Sequence, residues 1–247
     1  MQLTVLGSNG TYPTLEKPAS GHLVGTGSLR VLLDCGPGVF AQLLARATLP
    51  DIIVLSHGHG DHCLDLLSLF NHLRFDRGDV LGIPLLAPPG VVDRLAAFIG
   101  AGPDHPFFEV FSPLVVAAGE EHRFGDCTVE FGAAVHPVPA VCIRVEAGGA
   151  SLVYSGDTGP GGDLAELSSG GDLLLCEATH QGSPPPDRYP HHLYAIEAGE
   201  VAARAGVARL VVTHVAPTLD PAVSVAEAAA VFDGQVDHAA PGMEVEL

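Results

Sequence analysis

Ser56-His57-Gly58-His59-Gly60-Asp61-His62 is the stretch of this sequence that decides its fold. It follows the apolar run Asp51-Ile52-Ile53-Val54-Leu55, which is typical of a buried β-strand. Gly58 and Gly60 indicate a tight loop, because glycine lets the backbone approach other groups closely. The loop therefore carries three imidazoles and one carboxylate within six consecutive positions at the end of a strand.

This loop has the composition of a metal-binding segment. Imidazole nitrogens and carboxylate oxygens are ligands that zinc and similar divalent ions prefer. Four such groups on one short loop rarely all point at a single ion, so the loop predicts two neighbouring ions. We assign His57 and His59 to one ion, and Asp61 and His62 to the other. A polar surface loop with chance histidines is the alternative, and the dense spacing disfavours it.

Two ions need about four or five ligands each, water included, so further ligands must come from other parts of the chain. Three candidates follow predicted strands: His136 after 127–135, Asp157 after 150–156 and His214 after 208–213. Alone, each could be a turn or helix-cap residue. Their shared place at strand ends, where α/β proteins collect site residues, predicts that His136 joins the first ion, His214 the second, and Asp157 both.

With these residues the chain resembles the metallo-β-lactamase-fold hydrolases, over nearly its whole length. The loop matches the H-x-H-x-D-H signature of that family, and His136, Asp157 and His214 match its later motifs. Within the superfamily the chain is similar to the ribonuclease Z-like branch, especially its bacterial cyclic-nucleotide phosphodiesterase-like members. That similarity rests on Glu-Ala-Thr at 177–179 and His-Leu-Tyr-Ala at 192–195.

The order of predicted elements indicates an α/β fold: an αβ/βα sandwich of two mixed sheets flanked by helices, of the metallo-β-lactamase type. We expect a single domain, 1–247, made of two half-domains of about 1–112 and 113–247. The predicted strands are 2–6, 22–25, 30–34, 51–55, 83–87, 113–118, 121–134, 141–146, 150–155, 172–176, 208–213 and a final strand. The predicted helices are 38–46, 61–75, 89–99, 192–205 and 221–232, and 100–112 is predicted to be a loop.

The bulk properties exclude several classes of protein. A formal charge of −18, with Lys17 as the only lysine, disfavours extended nucleic-acid binding, which requires clustered cations. No apolar run approaches the roughly 20 residues that span a bilayer, and no signal peptide is evident, so we expect a cytoplasmic protein without a membrane partner. The five cysteines lack metal-type spacing, and we interpret them as small buried apolar residues.

The two ions are expected to be zinc, with manganese or iron as alternatives, because no cysteine is among the ligands. Asp61 is predicted to be catalytic as well as a ligand. His192 is the candidate that protonates or stabilises the leaving oxygen, oriented by Glu177, and the adjacent His191 is its competitor. Tyr194 stands where the family usually has threonine, which weakens any transfer of substrate identity.

These features predict a binuclear metal-dependent phosphodiesterase acting on a small-molecule phosphodiester, with 3′,5′-cyclic nucleotides favoured. The first alternative is a ribonuclease Z-type transfer-RNA 3′-processing endonuclease, which the resemblance permits but the acidity and the absence of an arm insertion disfavour. A lactonase or thioesterase is the second, since a fold does not fix a function, and a metal-binding effector without turnover is the third. A homodimer is left open, as is whether the proline-rich loop 181–190 shapes the mouth of the site or is only a connector.

Overall fold

The computed structural model describes all 247 residues, which form fourteen strands in two sheets. The strands are β1 (Gln2–Gly7), β2 (Gly21–Gly25), β3 (Arg30–Leu33), β4 (Ile52–Val54), β5 (Ile83–Ala87), β6 (Phe111–Val115), β7 (Glu121–Phe124), β8 (Cys127–Ala133), β9 (Val141–Ala147), β10 (Ala150–Tyr154), β11 (Leu173–Glu177), β12 (Arg209–Thr213), β13 (Gln235–His238) and β14 (Glu244–Glu246).

Eight α-helices cover the sheets: α1 (Val39–Ala45), α2 (Gly60–Cys63), α3 (Asp65–Asn71), α4 (Val91–Phe98), α5 (Phe107–Val110), α6 (Leu164–Leu167), α7 (Ala195–Ala205) and α8 (Pro221–Ala229). A π-helical segment, His72–Arg77, continues directly from α3. No helix combines the length and the apolar character needed to cross a membrane.

The two sheets are built on the same plan. The first has the order β14-β1-β2-β3-β4-β5-β6, and the second has the order β7-β8-β9-β10-β11-β12-β13. In each, the first three pairings are antiparallel and the last three are parallel. Parallel strands need crossover connections, which here carry the helices. The structure therefore confirms the predicted sandwich of two mixed sheets flanked by helices.

Three apolar clusters hold the layers together. One lies between the sheets, and the other two lie between each sheet and its own helices. Side chains alternate along β3 accordingly: Val31 and Leu33 point into the space between the sheets, and Leu32 points towards the helices. Because both faces of β3 are buried from Val31 to Leu33, those positions are all apolar.

The structure corrects several predicted boundaries. The predicted strand 121–134 is two strands, β7 and β8, because Gly125 has a φ of 64° and turns the chain back on itself. The predicted helix 61–75 is divided into α2, α3 and the π-helical segment, and the predicted helix 192–205 begins only at Ala195. The predicted loop 100–112 contains α5, whose Phe107 is fully buried.

The predicted boundary between the two half-domains, at about residue 112, falls inside β6, which lies at one edge of the first sheet. The opposite edge of that sheet is β14, from the C-terminal end of the chain, which pairs with β1. All five cysteines are buried, as the sequence analysis expected of apolar residues.

The loops that follow the central parallel strands of both sheets meet at one end of the sandwich. Gly156, after β10, has a φ of 55°, and a Cβ built on it would lie 2.7 Å from the Cβ of Ser56. Glycine adopts this left-handed backbone conformation without strain, and its lack of a side chain lets Ser56 approach closely. This contact brings the loop after β10 against the histidine-rich loop after β4.

Candidate metal centre

The seven predicted ligands lie at this end of the sandwich and form two neighbouring groups. In each group the candidate ligand atoms lie within 4.8 Å of one another. The first group is His57, His59, His136 and Asp157. The second group is Asp61, His62 and His214. The structure thus brings together residues from four separate loops in the division that the sequence predicts.

Asp157 lies between the two groups. Its Oδ1 atom is 3.3 Å from Nε2 of His62 and 3.3 Å from Nε2 of His214, both in the second group. Its Oδ2 atom faces the first group, 3.7 Å from Nε2 of His57. One carboxylate therefore offers one oxygen to each group, which is the arrangement that a shared ligand requires.

The buried polar atoms of this centre fit divalent cations. Nε2 of His57 and Oδ1 of Asp157 are buried without a hydrogen-bond partner, although such groups are nearly always paired. Pairs of imidazole nitrogens also converge: Nδ1 of His59 lies 3.1 Å from Nε2 of His136, and the Nε2 atoms of His62 and His214 are 3.2 Å apart. A cation within each group would satisfy these lone pairs, and a nitrogen and oxygen donor set suits zinc, manganese or iron.

Burial keeps two of the histidines in the form that binds metal. Burial, reinforced by the charge of His62, holds the pKa of His57 well below its ordinary value. Burial also lowers the pKa of His136 to about 4, against the opposing charge of Asp157. Both imidazoles are therefore neutral near pH 7, with a lone pair free for a cation.

Asp34 supports the centre, although it is not among the predicted site residues. This fully buried residue follows β3, and Nδ1 of His62 donates a hydrogen bond to its Oδ2 over 2.7 Å. The Tyr154 hydroxyl and the Ser56 backbone N–H also donate to its carboxylate, each over 2.7 Å. Asp34 thereby fixes the ring so that Nε2 of His62 faces the second group. Its place at a strand end, beside Cys35-Gly36, was the available signal.

Two other ligands are oriented in the same way, through the ring nitrogen that faces away from the centre. Nδ1 of His136 lies 3.2 Å from the backbone carbonyl of His191. Nδ1 of His214 lies 2.9 Å from Oγ1 of Thr179, whose hydroxyl donates to the Glu177 carboxylate over 2.6 Å. These contacts direct Nε2 of each ring into the centre.

Glu177 and His192 form a pair beside the two groups. Nδ1 of His192 lies 3.1 Å from Oε1 of Glu177, which is fully buried and also accepts the Thr158 backbone N–H over 2.7 Å. Burial lowers the pKa of His192, but the hydrogen bond and the charge of Glu177 outweigh it and raise the pKa overall. His192 is therefore suited to hold a proton next to the metal centre.

His192 also lies near enough to be considered as a ligand, since it forms a third group with Asp157 and His214. Its Nδ1 atom is 3.9 Å from Oδ2 of Asp157, which is longer than its 3.1 Å contact with Glu177. Coordination of a metal through Nδ1 would break the hydrogen bond between His192 and Glu177, so the geometry favours a role in holding a proton.

Asp61 connects the centre to the N-terminal loop. Its Oδ2 atom accepts the Thr11 backbone N–H over 2.9 Å and lies 3.4 Å from Nε2 of His214. Thr11 has a φ of 69°, an uncommon backbone conformation for a threonine. No spacing or pattern in the sequence indicated this contact, because 50 residues separate the two partners.

The remaining residues considered in the sequence are not part of the centre. The Cys63 thiol donates to the His59 carbonyl, and burial raises its pKa to about 12, so it packs as a neutral group. His72 contacts Asp76 on the π-helical segment, outside the three groups. The ring of His191 is next to that of His136, with centroids 6.2 Å apart. Tyr194 precedes α7, and its ring packs on His180.

Comparison with known proteins identifies relatives over the whole chain. A family model described as "Beta-lactamase superfamily domain" matches residues 29–215, the range that holds all seven candidate ligands. An uncharacterized protein of Mycobacterium tuberculosis is 37% identical, covering 96% of this chain and 88% of that protein. Probable metallo-hydrolase YhfI of Bacillus subtilis is 27% identical and covers 98% of both chains. Ribonuclease Z of Haloferax volcanii is 28% identical, covering 100% of this chain and 95% of that protein.

Solved structures show the same fold. The crystal structure of YhfI from Bacillus subtilis superposes with a TM-score of 0.85 at 24% identity, covering 100% of this chain and 98% of that chain. The short form of human tRNase Z gives a TM-score of 0.79 at 22% identity, with 100% and 99% covered. Yeast PDE1 gives a TM-score of 0.78 at 14% identity, with 100% and 99% covered.

Proposed function

Because the chain belongs to the beta-lactamase superfamily and is a metal-dependent hydrolase, we propose that it hydrolyses small phosphodiesters, with 3′,5′-cyclic nucleotides as its substrates. The observation that carries this proposal is the Glu177–His192 pair beside two groups of metal ligands. Phosphodiester hydrolysis needs positive charge at the phosphate and a proton for the leaving alkoxide. This end of the sandwich provides residues for both.

We assign two divalent ions, zinc first, to the two ligand groups. His57, His59 and His136 would hold one ion, Asp61, His62 and His214 would hold the other, and Asp157 lies where it would serve both. When bound, the ions supply an activated water and positive charge for the non-bridging phosphate oxygens. Asp34, Thr179 and the His191 carbonyl keep the ligand rings in place.

Asp61 is the candidate to orient the attacking water. Its side chain is 14% exposed, compared with 3% for Asp157, so it is the more accessible of the two carboxylates. Burial raises the pKa of Asp61, but its hydrogen bond to His214 and the charges of His62 and His214 outweigh burial and lower it overall. Asp61 therefore stays ionised and can accept a hydrogen bond from water.

His192 is the candidate that protonates the leaving oxygen. Its Nδ1 atom is engaged with Glu177, so Nε2 is the atom left to donate a proton to substrate. Glu177 stabilises the protonated imidazole and fixes its orientation, and its other oxygen accepts from Thr179 and from the Leu193 backbone. An expelled 3′-alkoxide is a poor leaving group and needs this proton.

Charge and chain topology favour small substrates. The formal charge of −18 opposes binding along a polyanionic backbone. The segment between His136 and Asp157 is occupied by the β9–β10 hairpin, whose strands are joined through Gly148 and Gly149 and leave no protruding arm there. A nucleotide presents one or two phosphates and is less affected by the overall charge.

A second candidate function is transfer-RNA 3′ processing, because the chain is 28% identical over its whole length to a ribonuclease Z.

One substrate screen distinguishes phosphodiester hydrolysis from transfer-RNA processing. Purified protein loaded in turn with zinc, manganese and iron is assayed on bis-p-nitrophenyl phosphate, 3′,5′-cyclic AMP, a precursor transfer RNA and a lactone. We expect turnover of the first two. Efficient, site-specific trimming of the precursor would reverse the ranking, and turnover of the lactone alone would refute phosphodiester hydrolysis.

A further inference from the structure

One aromatic side chain is exposed beside the proposed leaving-group residue. Tyr189 is 55% exposed, and its ring centroid lies 5.9 Å from that of His192, with the ring planes inclined by 35°. The same ring lies 5.1 Å from that of His191. The exposed aromatic residues are Tyr12, Phe75, Phe98 and Tyr189, and Tyr189 is the one whose ring packs against His192. Phe75 and Phe98 lie on helical segments of the first half, and Tyr12 lies in the loop after β1.

The residue before Tyr189 is fixed to the body of the protein. The guanidinium of Arg188 forms an ion pair with Glu197 in the first turn of α7. It also lies 5.7 Å from the centroid of the Tyr194 ring, which is a cation–π contact. The side chain of Arg188 is therefore held in place by two contacts.

The residue after Tyr189 is fixed as well. The carbonyl oxygen of Pro190 packs so closely on Gly159 that a Cβ at that glycine would lie 1.7 Å from it. Pro184, Pro185 and Pro186 stiffen the preceding part of the loop, since each restricts its own φ. An exposed aromatic ring on a backbone fixed from both sides is preorganised to bind a ligand, because little entropy is lost when it does so.

We propose that Tyr189 is a stacking platform for a nucleobase, which makes the site selective for phosphodiesters of nucleosides over other small phosphodiesters. This inference rests on the proposed function, since the phosphate must sit at the metal centre for the base to reach the ring. Because Tyr189 lies beside His192, the ring meets the nucleoside that carries the leaving oxygen. A tyrosine face suits this occupant, since every nucleobase presents a flat π-surface.

The test compares two substrates with the same leaving group, 3′,5′-cyclic AMP and the matching sugar 3′,5′-cyclic phosphate without a base. Stacking of one base on an aromatic residue corresponds to roughly a 5- to 150-fold effect on binding. We therefore expect Tyr189→Ala to raise KM for cyclic AMP by about that factor with little change in kcat. The base-free substrate should be unaffected, and Tyr189→Phe should retain the preference. Phe98→Ala, which removes an exposed ring on α4, is the control.

Equal losses on both substrates would overturn the inference, because they would show that Tyr189 only supports the fold of the loop. Unchanged kinetics would overturn it too. If the wild-type protein does not hydrolyse cyclic AMP, the proposed function fails, and calorimetric titration of the full chain with 5′-AMP and with inorganic phosphate then decides the inference separately. Weaker binding of 5′-AMP alone in Tyr189→Ala would support it. No detectable 5′-AMP binding, or an equal loss for both ligands, would refute it.

Discussion

The two halves of the molecule have the same strand plan but contribute to the metal centre in different ways. In the first half, one loop after β4 supplies His57, His59, Asp61 and His62. In the second half, His136, Asp157 and His214 follow three different strands. A compact motif on one loop can be recognised in the sequence by itself, whereas dispersed ligands become a site only when the strand ends meet.

Two aspartates make the comparison sharper, because they follow equivalent strands. Asp34 follows β3 and Asp157 follows β10, the first strand of the parallel series in its sheet. The carboxylate of Asp34 is saturated by donors from Ser56, His62 and Tyr154. Oδ1 of Asp157 has no hydrogen-bond partner. The same topological position therefore serves as support in one half and as a candidate ligand in the other.

The largest expected effect comes from Asp157→Ala, which removes the one residue placed between the two groups. We expect hydrolysis to be abolished and the occupancy of both ions to fall, measured by elemental analysis and with bis-p-nitrophenyl phosphate. His59→Ala should reduce occupancy of the first group only, and Asp104→Ala, in an exposed loop, is the control. Retention of both ions with near-normal activity would show that Asp157 is only a turn residue.

His192→Ala tests whether His192, in the second half of the chain, donates the proton to the leaving oxygen. We expect the rate for an alkoxide leaving group to fall by roughly 10²–10⁴, with a much smaller loss for p-nitrophenolate, which needs little protonation. Metal content should not change, and Glu177→Gln should give the same pattern more weakly. His191→Ala is the matched comparison, because His191 is the competing proton source and the substitution keeps the backbone carbonyl that contacts Nδ1 of His136. Loss of a metal in His192→Ala would instead make His192 a ligand.

Asp34→Asn tests the supporting role of the equivalent position in the first half. An amide cannot accept from all the donors that face this buried carboxylate, so we expect a loss of about 3 kcal/mol in the free energy of unfolding. Metal affinity should fall by about 10- to 100-fold, because the His62 ring loses its partner. Urea denaturation and metal titration measure the two effects. Asp51→Asn affects only solvent-accessible contacts, with the side chain and the backbone N–H of Arg30, and should cost at most about 1 kcal/mol. If Asp34→Asn is no more harmful than Asp51→Asn, the supporting role is wrong.

The smallest effect is expected from Thr179→Val, which removes the hydroxyl between Glu177 and His214 while keeping the shape of the side chain. We expect affinity at the second group to fall by about tenfold, at the lower end of the range for such supporting contacts, with the first group unchanged. Thr179→Ser keeps the hydroxyl and should restore binding. Equal weakening at both groups in a competition titration would argue against a local effect on His214.

The sequence predicted the elements of the fold where the apolar pattern was strong and missed them where a turn was short. Strands β3, β4, β10 and β12 each contain a run of apolar residues followed by polar residues, which predicts their positions. The β7–β8 hairpin is predicted as one strand, because Gly125 and Asp126 interrupt the pattern for only two positions. The predicted start of α7 at 192 follows the family resemblance of His-Leu-Tyr-Ala, whereas Tyr194 is the N-cap and the helix begins at Ala195.

By itself, the sequence determined the metal-binding character of the chain and the seven residues to examine, because ligand chemistry depends on residue type and those residues stand at strand ends. Only the tertiary structure decided which groups support them. Asp34 contacts His62 across 28 positions, Thr179 contacts His214 across 35, and Thr11 contacts Asp61 across 50. No local pattern encodes such contacts, since they arise when separate strands of one sandwich end at the same place.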